Sequence, residues 1–328
     1  MTGRSGSILL AVLLTLVLVL ALLAGETALT PGEYLQALTA PASSAGEILW
    51  TLRAPRAVTA ALVGAALGLA GAALQGLLRN PLADPGVLGV SASAGLGAGL
   101  AIMFGLAAIP WAIESSALAG ALIAGVVVVA LAARFREPEA LILLGVSISA
   151  FAGALTSLVY NFAASPVQAT EVLNWMLGSV ANRDWPDVLR LAPVLAAGAG
   201  LVAWSAGGLR MLTLGEETAA LSGLPMARLR AAAVGGAAIL AGAAVASAGV
   251  IGFVGLAAPH LVRRRAGDDP ARTLLPSALA GAILLVLADL AARVIPTEQE
   301  LKLGVVTALF GAPLFALVAW RASRSWRR

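Results

Sequence analysis

Residues 77–99 read LLRNPLADPGVLGVSASAGLGAG, a polar break between two long apolar runs. Arg79, Asn80, Pro81, Asp84 and Pro85 fall within seven residues there. Each proline disfavours helix in the residue before it, which pushes Asn80 and Asp84 out of the α region. Asn and Asp are side chains that satisfy exposed N–H groups at helix starts. The stretch therefore predicts a stiff polar corner that stops one helix and starts the next. A tight interhelical connection is the simplest reading, but a simple connection does not need so many restricted residues.

Outward from the corner the chain is strongly apolar. Of 328 residues, 60% are hydrophobic and 12% charged, against about a quarter charged in a soluble domain, and mean hydropathy is +0.94. A spanning helix needs ~20 apolar residues. Candidate runs lie at 8–24, 57–77, 88–109, 115–133, 140–163, 189–206, 228–249, 251–262, 273–295 and 303–320, the eighth being short for a full crossing. The fold class is thus all-α, a polytopic membrane bundle of about ten transmembrane helices in a single domain, residues 1–328. Alternating barrel strands are absent from runs this continuous. A cleaved leader is the competing reading of 8–24. Gly and Ala are abundant, as suits closely approaching membrane helices.

Charge supplies an orientation. With the N-terminus inside and the spans alternating, Arg53, Arg56, Arg183, Arg190, Arg293 and Lys302 fall outside and the other fifteen basic residues inside. The positive-inside rule then places both termini in the cytoplasm. The inside set includes Arg134, Arg136, Arg321, Arg324, Arg327 and Arg328; the outside loops carry most acids, among them Glu26 and Glu298. Outside, TEVLNWMLGSVA (170–181) predicts a short surface helix, with Trp175 and Trp185 at headgroup level.

Catalytic chemistry finds little support. The chain has no Cys and one His, His260, which excludes disulfides, thiolate sites and multi-His metal sites. Its only Lys, Lys302, is not preceded by Gly, so there is no phosphate-binding Gly-Lys-Ser/Thr loop. No cofactor is expected in this chain; if ATP and Mg are used, a separate ATPase subunit must bring them. His260, followed by Arg263, Arg264 and Arg265, reads as a helix-end packing residue. Asp289 lies four residues before Arg293, in reach of an ion pair across one helical turn. Neutral polar residues inside spans, Gln75 among them, read as helix-packing contacts. A membrane enzyme lacks a catalytic constellation here, and an ion-coupled secondary transporter would have only Asp289 as its intramembrane carboxylate.

A second polar stretch, TLGEETAALSGLP (213–225), predicts a short helix that begins at Glu216 and Glu217, acids favoured at the positive end of the helix dipole. Gly223 and Pro225 stop it.

Three blocks carry a specific resemblance: ALVGAALGLAGAALQGLLRNPLADPGVLGVSASAGLGAG (61–99), SAGVIGFVGLAAPHLVRRRAGDD (247–269) and LADLAARVIPTEQELKLGVVTALFGAPLF (287–315). In this order they resemble the signature of the FecCD permease subunits of type II ABC importers for iron–siderophores, haem and vitamin B12, over essentially the whole chain. The resemblance implies a translocation subunit rather than an enzyme. It implies a partner second copy, two ABC ATPase subunits, a periplasmic substrate-binding protein and surrounding membrane lipids, with no nucleic acid, in a bacterial inner membrane. Gly215, Glu216, Glu217, Ala220, Leu221 and Gly223 would form the coupling helices in the ATPase cleft. Arg53, Arg56 and Arg293 would dock acidic residues of the binding protein, although snorkelling to headgroups also fits arginines at span ends. Ferric siderophore is the first expectation for cargo, with haem and cobalamin open. One departure is Lys302, where the family usually carries Pro after Glu-Leu.

Overall fold

The computed structural model describes residues 3–25, 27–132, 138–295 and 300–313. Arg134, Arg136, Arg321, Arg324, Arg327, Arg328, Glu26 and Glu298 lie outside the described residues. Every regular element among the described residues is helical. The order is α1 (Gly3–Leu23), α2 (Pro31–Thr39), α3 (Ser44–Glu47), α4 (Ala54–Leu77), α5 (Val90–Met103), α6 (Ala112–Ala132) and α7 (Pro138–Asn161). Then come α8 (Pro166–Met176), α9 (Trp185–Met211), α10 (Glu216–Leu221), α11 (Met226–Ala248), α12 (Val254–Ala266), α13 (Pro270–Val294) and α14 (Leu303–Pro313). A π-helical turn, Ile48–Arg53, fuses α3 to α4, so residues Ser44–Leu77 run as one helix of 34 residues.

Among the described residues, seven helices are long and apolar enough to cross a membrane: α1, the fused α3–α4, α6, α7, α9, α11 and α13. The other three predicted segments are also helical where they are described, and two of them are short. Helix α5 has 14 residues and α12 has 13. At 1.5 Å per residue these cover about 20 Å of a ~30 Å apolar layer. The expected surface helix at 170–181 lies earlier, at 166–176. Ser165 accepts a hydrogen bond from the Gln168 N–H and Pro166 opens the first turn, while Gly178 at φ 72° ends the run.

The fused α3–α4 helix and α11 are the axis of the bundle, with 72% and 83% of their apolar stretches buried, against 11% for α1. Their glycines explain the depth. A Cβ at Gly71 would stand 1.9 Å from the Gly255 carbonyl oxygen, and one at Gly64 would stand 2.3 Å from that of Gly281. Only glycine lets α12 and α13 approach α4 this closely, and in a bilayer such packing replaces the hydrophobic drive. Helix α1 lies on α13 through Val17 and Ala21 and leaves Ile8, Leu16 and Leu23 exposed, as a lipid-facing helix does.

Loops at one end are stitched to the bundle through the backbone. Ser179 N–H donates to the Ala248 carbonyl, Leu303 N–H to that of Gly178, and Gly304 N–H to that of Leu177. This fixes where α11 ends and α14 begins. Lys302 contributes its carbonyl, which accepts from Val305 and Val306 in the first turn of α14.

Candidate functional site

The corner folds as its residues predict. Arg79 takes φ 49°, a left-handed conformation that turns the chain out of α4. Asn80 Oδ1 accepts from the Leu82 N–H at 2.9 Å, and Asp84 Oδ1 accepts from the Gly86 N–H at 2.7 Å. Asp84 thereby caps a 3-10 turn, Pro85–Leu88, and Gly89 at φ 80° hands the chain on to α5. Pro81 and Leu82 are exposed, but Ala83, Pro85 and Leu88 are buried, so the second half of the corner dips into the protein. Burial pushes the Asp84 carboxyl up to about 6, and the Gly86 N–H only partly opposes this.

At the same end, a 3-10 turn at Leu212–Leu214 leads through Gly215 (φ 101°) into α10, and Gly223 (φ 84°) leads out of it. The predicted helix within 213–225 is thus six residues, Glu216–Leu221. Buried Ala219 anchors it to the bundle. Glu216 forms an ion pair with Arg230 of α11, a partner that sequence alone did not suggest. The opposite face is open: Glu217, Ala220 and Gly223 are exposed, Leu214 is 66% exposed and Leu221 90%. A cavity of about 300 Å³ lies between α10 and the corner, lined by Leu77, Leu78, Arg79, Glu216, Met226 and Arg230 among others. The two polar motifs, 130 residues apart in sequence, therefore form one surface.

The other end holds the arginines. Arg53 is 6% exposed and Arg293 8%, and the Arg56 side chain is 14% exposed. Arg53 donates to the carbonyls of Leu22, Leu23 and Thr27 and to Tyr34 Oη. Arg56 donates to Asp289 Oδ1 through Nε at 3.0 Å and Nη2 at 2.8 Å, and to both oxygens of Glu300. Arg293 donates to the carbonyls of Ala21 and Ala24. The predicted Asp289–Arg293 pair is present at 3.0 Å, and Arg56 is a second, unforeseen partner of the same carboxylate. Five charged side chains thus join α1, α4, α13 and the approach to α14. A guanidinium with five fixed donors suits this bracing of several carbonyls and carboxylates at once.

Nearby, Arg183 pairs with Glu114 and Asp187, and Arg190 lies 3.5 Å from the centre of the Trp111 ring. These contacts tie the start of α9 to the start of α6. A cavity of about 710 Å³ is lined by α5, α6 and α7 with apolar groups such as Leu100, Phe104, Ile123 and Phe151, and with Ser93, Ser116 and Ser147. His260 is exposed on α12. Among the described residues no group of three or more His, Asp or Glu could hold a metal ion.

Residues 13–321 match the model of the FecCD transport family. The vitamin B12 import system permease protein BtuC of Shigella flexneri is 40% identical over 321 residues, which are 96% of this chain and 94% of that protein. BtuC of Escherichia coli O139:H28 (strain E24377A / ETEC) is likewise 40% identical over the same shares. A solved structure, reported as an inward-facing conformation of a metal-chelate type ABC transporter, superposes with a TM-score of 0.86. It is 29% identical and covers 96% of this chain and 98% of its own. With the family model and full-length relatives in agreement, this chain is a member of the FecCD transport family.

Proposed function

We propose that the chain is the membrane permease of an ATP-driven importer of a metal chelate, working by alternating access and making no bond change itself. The observation that carries this is the α10–corner surface: a braced helix that presents Leu221 outward, with Leu214 exposed in the turn before it, beside a stiff corner at one end of the bundle. ATP-driven closure of a partner subunit must push on something rigid, and packed short helices transmit displacement as discrete shifts. The ATPase, with its ATP and Mg, would seat on Glu217, Ala220, Leu221 and Gly223. Two copies of the chain, two ATPases and one periplasmic binding protein make up the proposed assembly, in a bacterial inner membrane. Within it the chain would make ten crossings, counting α5, α12 and α14, with both termini in the cytoplasm.

For cargo, the relatives' names favour cobalamin over the ferric siderophore expected from sequence. The binding-protein role expected of Arg53, Arg56 and Arg293 requires a carboxylate to reach guanidiniums already engaged with Asp289, Glu300 and backbone carbonyls. Their burial favours bracing, and charge reversal separates the two roles: lost assembly assigns them to the fold, lost docking in an assembled complex to the partner.

The test is purification from native membranes in mild detergent, followed by uptake in proteoliposomes. Co-purification of an ATPase and ATP-dependent uptake of cobalamin, competed by unlabelled cobalamin and not by ferric siderophore, is the expected result. Competition by siderophore alone would reverse the cargo assignment. Uptake driven by an ion gradient without ATP would overturn the importer reading.

A further inference from the structure

The first two signature blocks of the sequence meet inside the protein through one side chain. Gln75, in the last turns of α4, is 2% exposed. Its Nε2 faces the Ala83 carbonyl of the corner at 3.3 Å and the Gly255 carbonyl of α12 at 3.5 Å. Its Oε1 accepts from Nη2 of Arg263, also on α12, at 2.6 Å. A charge-assisted bond of that length is the strong member of the set.

The surroundings leave this junction little slack. Gly71 of α4 has its Cα against the Gly255 carbonyl. On its other side Gly255 meets the corner: a Cβ there would stand 2.8 Å from Asp84 Oδ2 and 2.9 Å from Pro85 Cδ. The Asp84 carboxylate therefore lies over the first turn of α12, whose N-cap residue, Phe253, supplies no side-chain cap. That is the end of a helix that favours a negative charge. At the outer edge of the same unit, Arg79 of the corner lines the cavity shared with Glu216 of α10.

We propose that Gln75 is a positioning residue for energy coupling: it joins α4, the corner and α12 into one body, so that a push delivered at α10 moves α12. This rests on the importer reading above. An amide fits the role because it donates to two carbonyls and accepts from a guanidinium at once, which neither a carboxylate nor an apolar side chain of the same size does.

Two readouts test it. The chain has no cysteine, so spin labels on Leu82→Cys in the corner and Leu261→Cys on α12, in permease assembled with an excess of unlabelled copies, report the distance between them within one copy. Both positions are about half exposed. In the purified permease the distance distribution is expected to be narrow with Gln75 and broad with Gln75→Met; an equally narrow distribution in the variant overturns the proposal. In the complete complex in proteoliposomes, Gln75→Met is expected to lower the cargo moved per ATP hydrolysed by about fivefold or more, the size of a typical coupling energy. Adding Arg263→Met to Gln75→Met should lower the ratio no further, and Arg263→Lys alone should retain part of it. A ratio unchanged by Gln75→Met sinks the idea. If that variant yields no folded protein, Arg263→Met alone carries the test, and a wild-type ratio in it overturns the proposal. A wild-type complex that moves no cargo with ATP would refute the importer reading instead, and the label distances would still decide on Gln75.

Discussion

One end of the bundle turns its charges inward, and the other turns its leucines outward. Arg53, Arg56, Asp289, Arg293 and Glu300 meet in a nearly closed cluster that braces four segments of chain. At the α10 end, the Glu216–Arg230 ion pair holds the helix base while Leu221 stands 90% exposed. The three arginines and Asp289 are consumed by the fold, since each of them has several internal partners and little access. An exposed leucine on a braced six-residue helix has no internal purpose. Held on a fixed base, it can serve as a rigid apolar anchor for a contact outside the chain. Under the proposed function, then, the exposed apolar group is the better candidate for a contact surface than the arginines.

The comparison can be broken most sharply at Asp289, which is 1% exposed between two guanidiniums. Asp289→Ala leaves Arg56 and Arg293 without their shared carboxylate, a loss of about 3–5 kcal/mol for an uncompensated buried charge. The expected outcome is a large fall in Tm and in yield from detergent; a variant as stable as the parent would show that the cluster does not brace the fold. Leu221→Glu tests the other end. It should change the Tm of the permease alone by no more than about 0.5 kcal/mol equivalent, as exposed positions do. It should also cost about 2 kcal/mol of affinity for the ATPase, the size of an interface hot spot, read by co-purification and titration. Full retention of the ATPase would remove α10 from the contact.

Asp84 sharpens the contrast through pH. Its carboxyl titrates near 6 in the folded chain against 3.8 when unperturbed. The folded state therefore holds this proton more tightly than the unfolded state does. The contribution to stability is full below pH 3.8 and is lost as pH rises through 6. With about 1.4 kcal/mol per pKa unit, and some solvent contact at the carboxylate, the span is about 2 kcal/mol. Asp84→Asn, which retains the acceptor for Gly86, should flatten the dependence of Tm between pH 4 and 7; an unaltered slope would place the titration elsewhere. The smallest effect is expected at Glu216→Lys. Its ion pair is half open to solvent, so the permease should lose about 1 kcal/mol or less, whereas transport driven by the ATPase should fall because the base of α10 is displaced. Unchanged transport would remove Glu216 from coupling.

Much of this was readable along the chain. The continuity of the apolar runs fixes an all-helical membrane class, because only helices satisfy their own backbone in lipid. Asn80, Asp84 and the two prolines specify a capped corner by local sterics, and Gly215, Gly223 and the paired acids specify a short helix at Glu216. The Asp289–Arg293 pair follows from spacing of four on a helix. All of these are short-range properties, in which neighbours in sequence are neighbours in space.

What only the tertiary structure decided is where these pieces face. The arginines at the start of α4 and the end of α13 look alike in sequence whether they reach for a partner or brace the interior. Their role depends on carbonyls of Leu22 and Thr27 and on Glu300, none of which any local pattern connects to them. Gln75 reads as an ordinary packing amide until Gly71 and Gly255 bring α4 and α12 into backbone contact and place Arg263 on its oxygen. The corner and α10 share a cavity only because α4 and α11 run side by side. Such meetings are set by how helices pack over their whole length, and residues separated by more than a hundred positions carry no local signal of it.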